Sequence, residues 1–399
     1  MRTLSSAILL AAVAACGTET DAMRPSDTAA LARQAPPRYR IVKIDETLGG
    51  ASNRGSVINE RGWIAGSSTD DDGTLRAVLW RNKVLTDLKT LGGPNSNIVW
   101  HGLNDRGMVV GFAETNRPNP LNEEWSCSAF FPTVTNLICR GFYWEEGSRM
   151  KPLPGLGGYN SYASGVNDRG QIVGWAETRV KDPTCSEPQV LQFRAVLWEP
   201  RRNRTTQLQP YPGDSASAAT AINNRGQAVG ISGECDVAVG RFSARRAVLW
   251  EDGKVRKLGD LGGTSWHTPT DISERGEVVG FSNPDLPEDR EGGFVALAFL
   301  WTRGTGIRSL GTLRGDTTSQ ALGINSSRQV VGVSTSAAGV NRAFLWQRGK
   351  MHNLNDLVPG LRDSLVTAQD INEEGRITGR LFERSSGQSR PFIAIPIDR

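Results

Sequence analysis

An all-β fold, a seven-bladed β-propeller of four-stranded antiparallel blades, is predicted by three observations. A turn phrase recurs seven times along the chain, an apolar strand phrase follows each copy, and the two ends of the chain supply complementary parts of one unit. The turn phrase reads apolar-Asn-x-x-Gly-x-x-x-Gly. Its Asn and two Gly fall at Asn59, Gly62 and Gly66; at Asn104, Gly107 and Gly111; at Asn167, Gly170 and Gly174; and at Asn223, Gly226 and Gly230. Three further copies read Ser273, Gly276 and Gly280; Asn325, Arg328 and Gly332; and Asn372, Gly375 and Gly379. Copies lie about 45 to 63 residues apart, in or just above the range of propeller repeats.

Each phrase implies one element of the unit. An Asn followed three residues later by Gly makes a tight turn, because the carboxamide caps its own backbone and Gly takes positive φ without a Cβ clash. It joins the innermost strand to the second. The later Gly, as in Val109-Val110-Gly111, marks a strand position that another backbone approaches closely. The Ala-apolar-Leu-Trp phrase is the third strand, ending at Trp80, Trp198, Trp250, Trp301 and Trp346, with Gly-Phe-Tyr-Trp144 and Pro-Phe-Ile-Ala394 as degenerate forms. Apolar on both faces, it suits a strand sandwiched between sheets, and its tryptophans are core residues. Stretches such as 84–88 and 255–258 supply the fourth strand, and Leu-Gly-Gly at 91–93, 156–158 and 261–263 closes the unit. Units of four short strands cannot bury their own faces, so they must stack, and stacking around an axis removes the open ends. Residues 39–44 resemble a fourth strand without a unit, while the last unit stops after 391–397 and lacks one. The N-terminal strand is therefore expected to close the ring as the outer edge of the last blade.

In register over the whole body, the Leu-Gly-Gly, Ile-Asn-x-x-Gly, Val-Gly and Ala-Phe-Leu-Trp phrases resemble the extracellular HAF-repeat family, named for a His-Ala-Phe triplet before Leu-Trp. Here the triplet reads Arg76-Ala77-Val78 or Arg342-Ala343-Phe344, with Arg in place of His. The resemblance implies a repeat fold outside the cytoplasm and brings no activity, cofactor or catalytic residue.

The first residues read as an export signal. Arg2 precedes an apolar run, 7–15, too short to cross a bilayer as a helix. The run ends in Val13-Ala14-Ala15-Cys16-Gly17, which resembles a bacterial lipobox and makes Cys16 a lipid anchor. Residues 1–15 are then a signal peptide, 16–38 a tether too polar to bury a core, and 39–399 the propeller. Gly17, where some lipoproteins carry an inner-membrane retention Asp, favours the outer membrane. In that oxidising setting the remaining cysteines are read as disulfides, Cys127–Cys139 within one loop and Cys185–Cys235 between loops of neighbouring units.

Loops from second to third strand lengthen in four consecutive units, at 113–141, 176–194, 233–245 and 283–296, so binding residues are expected on that face. Trp100, Trp125, Tyr162 and Trp266 are aromatic candidates for a sugar or peptide. His101 and His267, three units apart, are candidates to face each other across the channel. Asp70-Asp71-Asp72-Gly73 reads as a solvated turn rather than a calcium loop. No nucleophile elbow, zinc motif or phosphate loop is present and no two units show matched carboxylates, so neither metal nor cofactor is expected. A net charge of +4 with interspersed signs argues against nucleic acid. The expectation is a non-enzymatic binding or scaffolding lipoprotein for a glycan, peptide or envelope protein. The alternative is a hydrolase or lyase with its site at the channel mouth of the loop-rich face.

Overall fold

The turn phrase folds as its chemistry dictates. Asn59 Oδ1 accepts the N–H of Arg61 and of Trp63, at 3.1 and 2.9 Å, and the Gly62 N–H returns to the Asn59 carbonyl at 3.0 Å with φ +74°. Asn104, Asn167 and Asn223 repeat the pattern. In the sixth unit Arg328 takes the glycine slot at φ +59°, a conformation that a side chain makes costly. The Asp70 turn is also tight: Asp70 Oδ1 accepts the Thr74 N–H at 2.9 Å and Gly73 has φ +80°.

The computed structural model describes residues 36–123, 129–287 and 294–397; Cys16, Trp125 and Cys127 lie outside them. From Pro37 onward these form one unit of seven four-stranded antiparallel sheets, with short 3₁₀ turns at Pro200–Arg202 and Leu354–Leu357. The first blade comprises Gly49–Ile58, Ile64–Asp70, Leu75–Arg81 and Val84–Asp87. Innermost strands of the second to sixth blades are Gly92–Asn97, Ser161–Val166, Ala216–Ile222, Thr268–Ile272 and Asp316–Ile324. The seventh blade contains Ser364–Ile371, Ile377–Glu383 and Gln388–Pro396. Its fourth strand is Tyr39–Lys43, paired antiparallel from Tyr39 opposite Pro396 to Lys43 opposite Phe392. The ring is closed by the N-terminal strand, as expected.

Innermost strands of every blade but the second carry a bulge just before their turn, as at Ala163/Gly165 and Ala368/Asp370. The second glycine of each phrase lies against that strand: a Cβ on Gly174 would sit 1.9 Å from the Tyr162 carbonyl oxygen. Third-strand tryptophans are core residues, and three of them show satisfied indoles. Trp80, Trp198 and Trp250 donate Nε1–H to the carbonyls of Glu46, Pro154 and Gln209, at 2.7, 2.8 and 2.6 Å. Apolar clusters span pairs of blades; Val57, Ala65 and Leu79 of the first pack with Leu103, Val109, Phe142 and Trp144 of the second. Such interfaces, rather than any single sheet, bury the core. On the loop face the expected Cys185–Cys235 disulfide joins the long loops of the third and fourth blades.

Candidate functional site

At the turn-bearing mouth, each phrase Asn does two jobs with one carboxamide. Its Oδ1 caps its own turn, and its Nδ2 donates to the phrase carbonyl of the next blade: Asn59 to Asn104 at 3.1 Å, Asn104 to Asn167 at 2.9 Å, Asn167 to Asn223 and Asn223 to Ser273 at 3.0 Å. Asn325 to Asn372, at 3.0 Å, and Asn372 to Asn59, at 3.1 Å, continue the belt across the closure point. The following residue forms a parallel ring, in which Asp105, Asp168, Asn224, Glu274, Glu373 and Glu60 accept the backbone N–H of the preceding blade. Ser273 and Ser326 interrupt both rings at the seam between the fifth and sixth blades. There Asp271 Oδ2 accepts the Ile324 N–H at 2.8 Å, Thr270 Oγ1 donates to the Ala321 carbonyl at 2.9 Å, and Arg328 pairs with Glu277.

The result is an acidic inner rim, Glu60, Asp105, Asp168, Glu274 and Glu373, opening on a cavity of about 150 Å³. Burial lifts the Glu60 and Asp105 carboxyls above the ordinary range, backbone N–H donors oppose it, and neighbouring carboxylates add to it.

Inside that cavity stands His101. The innermost strand of the second blade stops at Asn97, and the chain arches through a tight Gly102-to-Trp100 hydrogen bond of 2.7 Å before rejoining the second strand at Leu103 opposite Val109. The arch carries the imidazole to Asp271 of the fifth blade and Asp370 of the seventh, with Nε2 3.6 Å from Asp271 Oδ2 and 3.5 Å from Asp370 Oδ1. The three side chains are only 15%, 12% and 8% exposed. Burial disfavours the charged imidazole, but the two carboxylates outweigh it and push His101 up to about 9. Burial also lifts the Asp271 carboxyl, opposed by His101 and reinforced by Asp370.

Asp271 and Asp370 correct the expectation that no units carry matched carboxylates. Both occupy the register position two residues before the phrase Asn or Ser, where the other blades carry Val57, Gly102, Gly165, Ala221 and Gly323. Aligning the units at that position is the signal that finds them. The bulge turns this position toward the axis, which a strict two-residue alternation misses.

The other sequence candidates do not form one site: Tyr162 and Trp100 share an apolar cluster, while Trp266 and His267 make other contacts. Tyr162 is buried and stacks on Phe112 at a centroid distance of 4.2 Å. Half-buried Trp100 packs on the same apolar cluster. Trp266, half-buried, meets Phe294 edge-on at 5.3 Å. His267 is engaged elsewhere and shares no site with His101: its Nδ1 meets Ser282 Oγ at 2.7 Å and its Nε2 meets the Gly263 carbonyl at 3.1 Å. Burial holds it below the ordinary imidazole range.

The opposite, loop-bearing face is built differently. Phe130, Phe131, Cys185, Cys235, Ala238 and Ala244 of the long loops pack with Phe112, Tyr162, Trp175 and Phe193 of the blades, so the loops have an apolar core. A buried polar knot ties the second loop to the third: Glu123 Oε1 accepts the N–H of Leu191 at 2.6 Å and of Val190 at 3.0 Å, and Gln189 Nε2 reaches Glu177 Oε1 at 3.2 Å. Above this layer, Val134, Val180, Phe242, Phe294, Val340 and Phe382 are exposed, each in or beside a second-to-third-strand connection. Among the described residues the only other exposed large apolar side chains are Val84 and Ile397.

The chain is thus a seven-bladed β-propeller. Solved structures of low sequence identity share its architecture. Acylaminoacyl peptidase from Pyrococcus horikoshii matches at 10% identity and TM-score 0.51, over 90% of this chain and 54% of that one, so the chain spans about half of that enzyme's length. The propeller domain of the trilobed protease from Pyrococcus furiosus matches at 10% identity and TM-score 0.49, over 91% of this chain and 98% of that one. Oligogalacturonate lyase from Vibrio parahaemolyticus matches at 11% identity and TM-score 0.47, over 90% and 98%. The sequence matches no known family profile and no curated relative.

Proposed function

We propose that this propeller is an exported, lipid-anchored binding protein that presents its loop face to a glycan, peptide or envelope-protein partner. The observation that carries this reading is the segregation of exposed apolar side chains. Six of the eight among the described residues lie in or beside second-to-third-strand connections, one on each of the second to seventh blades, on the face whose loops share an apolar core and a disulfide. Concentration of exposed apolar side chains on one face favours that face for interaction over the rest of the surface. The lipobox-like run ending in Cys16, together with the resemblance to extracellular repeats, supports the location.

Binding is favoured over histidine-based catalysis because none of the three histidines is presented on the loop face as a free base. His101 lies between two carboxylates at the other mouth, His267 is bonded through both ring nitrogens, and His352 sits on the outer strand Lys350–Asn353 of the sixth blade.

The purified full chain, screened on glycan and peptide arrays beside Phe242→Ala, Phe294→Ala, tests the reading. Both side chains are part-exposed, though Phe294 packs edge-on against Trp266 and Phe281, so the variant should stay folded and melt a little below the parent while losing the bound spots. Unchanged binding, or no binding by either protein, overturns the loop-face assignment. A Cys16→Ser chain should leave the membrane fraction.

A further inference from the structure

We infer that the channel holds a divalent-cation site formed by His101, Asp271 and Asp370, matched to a borderline ion such as zinc. The site lies at the turn-bearing mouth and stands or falls separately from the loop-face reading.

Three features of the geometry carry it. The first is spacing. His101 Nε2 lies 3.6 and 3.5 Å from the nearest oxygens of Asp271 and Asp370, and one ligand atom from each residue falls within 4.8 Å of the others. These separations are long for hydrogen bonds, yet they match the edge of a tetrahedron with metal bonds of about 2.1 Å, roughly 3.4 Å. The second is the state of the imidazole: it is buried within ion-pair range of both carboxylates and beside the Thr270 backbone, yet neither ring nitrogen makes a hydrogen bond of good geometry. The third is anchoring of the carboxylates. Asp271 Oδ1 and Oδ2 accept the N–H of Ile272 and Ile324, at 2.7 and 2.8 Å, and Asp370 Oδ1 and Oδ2 accept those of Ile371 and Ile58, at 2.8 and 2.9 Å. Backbone donors therefore fix both ligands while leaving lone pairs toward His101, the outer-shell support that a metal site needs.

Charge agrees with this assignment. A dication neutralises two buried carboxylates. The acidic rim, whose Glu60 already feels the Asp370 charge, concentrates cations at the entrance. One imidazole and two carboxylates select a first-row ion over calcium or magnesium, and three protein ligands leave a fourth position facing the cavity.

The full chain, purified in detergent and stripped with chelator, is dialysed separately against zinc, manganese and calcium, and bound metal is counted by mass spectrometry. A single equivalent of zinc is expected, held in preference to calcium, and cobalt(II) in its place should show the intense visible bands of a tetrahedral site. His101→Asn should weaken zinc binding by at least about a hundredfold, the upper end of the cost of losing an outer-shell partner, and Asp370→Asn likewise, with His352→Asn unchanged. His101→Asn is decisive because it leaves both backbone-anchoring carboxylates intact, and melting without zinc verifies its fold. No stoichiometric uptake by the parent, or uptake that His101→Asn leaves unchanged, overturns the site.

Discussion

At the scale of single residues, much of the chemistry of this ring resides in Asn side chains whose second role is invisible in sequence. The Oδ1 role of Asn104 is local, capping N–H groups two and four residues on, and an Asn-x-x-Gly phrase announces it. The Nδ2 role is not local, because the acceptor is the Asn167 carbonyl 63 residues away. No side-chain pattern encodes a backbone acceptor. Asn104→Ala should therefore cost about 2–3 kcal/mol, the value of a lost cap plus a buried carbonyl left unsatisfied, read from chemical denaturation. Glu123 offers a second residue-scale check. Burial, with the Glu177 charge added, pushes its carboxyl up to about 7, against the pull of the Leu191 and Val190 N–H groups. The folded state thus holds a proton that the unfolded chain releases in the ordinary carboxylate range. The stability this gives is complete below that range and is lost as pH rises through about 7. Glu123→Gln keeps an oxygen for both N–H groups, so its melting temperature should gain on the parent between pH 5 and pH 8 by about a few degrees. A constant difference across that span would place the proton elsewhere.

Among elements, the strands were legible and the arch was not. Val84-Leu85-Thr86-Asp87 and the Ala-apolar-Leu-Trp runs announce their positions by apolar pattern, and the strand Tyr39–Lys43 was placed by the unit it lacked and the partner it would complete. The stretch Ile98-Val99-Trp100-His101 reads as more of an innermost strand, yet strand pairing stops at Asn97 and the chain loops into the channel. Local propensity favours extension here; what decides is packing, with Ile98 buried between the first two blades and Trp100 against the loop-face cluster. The closing strand provides an element-scale prediction. Removing residues 36–43 exposes the edge of Gln388–Pro396 and takes away buried Tyr39. The loss should reach about 3–5 kcal/mol from the side-chain burial and ladder bonds removed, with aggregation below the parent's melting temperature. Near-parental melting would mean that the ring does not depend on this edge. For the loops, Cys185→Ser with Cys235→Ser should lower stability by about 2–4 kcal/mol and weaken any partner captured by the loop face, because the bridge joins two of its connections.

Over the whole molecule, closure is a circuit, and the circuit has one weak seam. Asn Nδ2 links and N–H-to-side-chain links run around the turn-bearing mouth, including across the junction of the seventh and first blades, where Asn372 reaches Asn59 and Glu60 accepts the Glu373 N–H. Both fail between the fifth and sixth blades, because Ser273 offers no second donor and Ser326 no long acceptor. That seam relies on Asp271, Thr270 and the Arg328–Glu277 pair, so a carboxylate of the proposed metal site also serves as a structural clasp. Closed rings fail first where neighbouring units hold each other least, since stability is a sum of unit and interface terms. Ser273→Asn should repair the circuit. Ser273 Oγ already accepts the Glu277 N–H as an Asn cap would, and its carbonyl already receives Asn223 Nδ2, so the turn has the needed form. The new Nδ2 would meet the Asn325 carbonyl as its counterparts do elsewhere in the belt. The expected gain is about 1 kcal/mol, together with slower amide exchange in Asp316–Ile324, the strand that borders the seam. A variant no more stable than the parent would show that the existing clasp already equals a belt link. Faster exchange at the seam would show that the fifth and sixth blades cannot approach closely enough to form one.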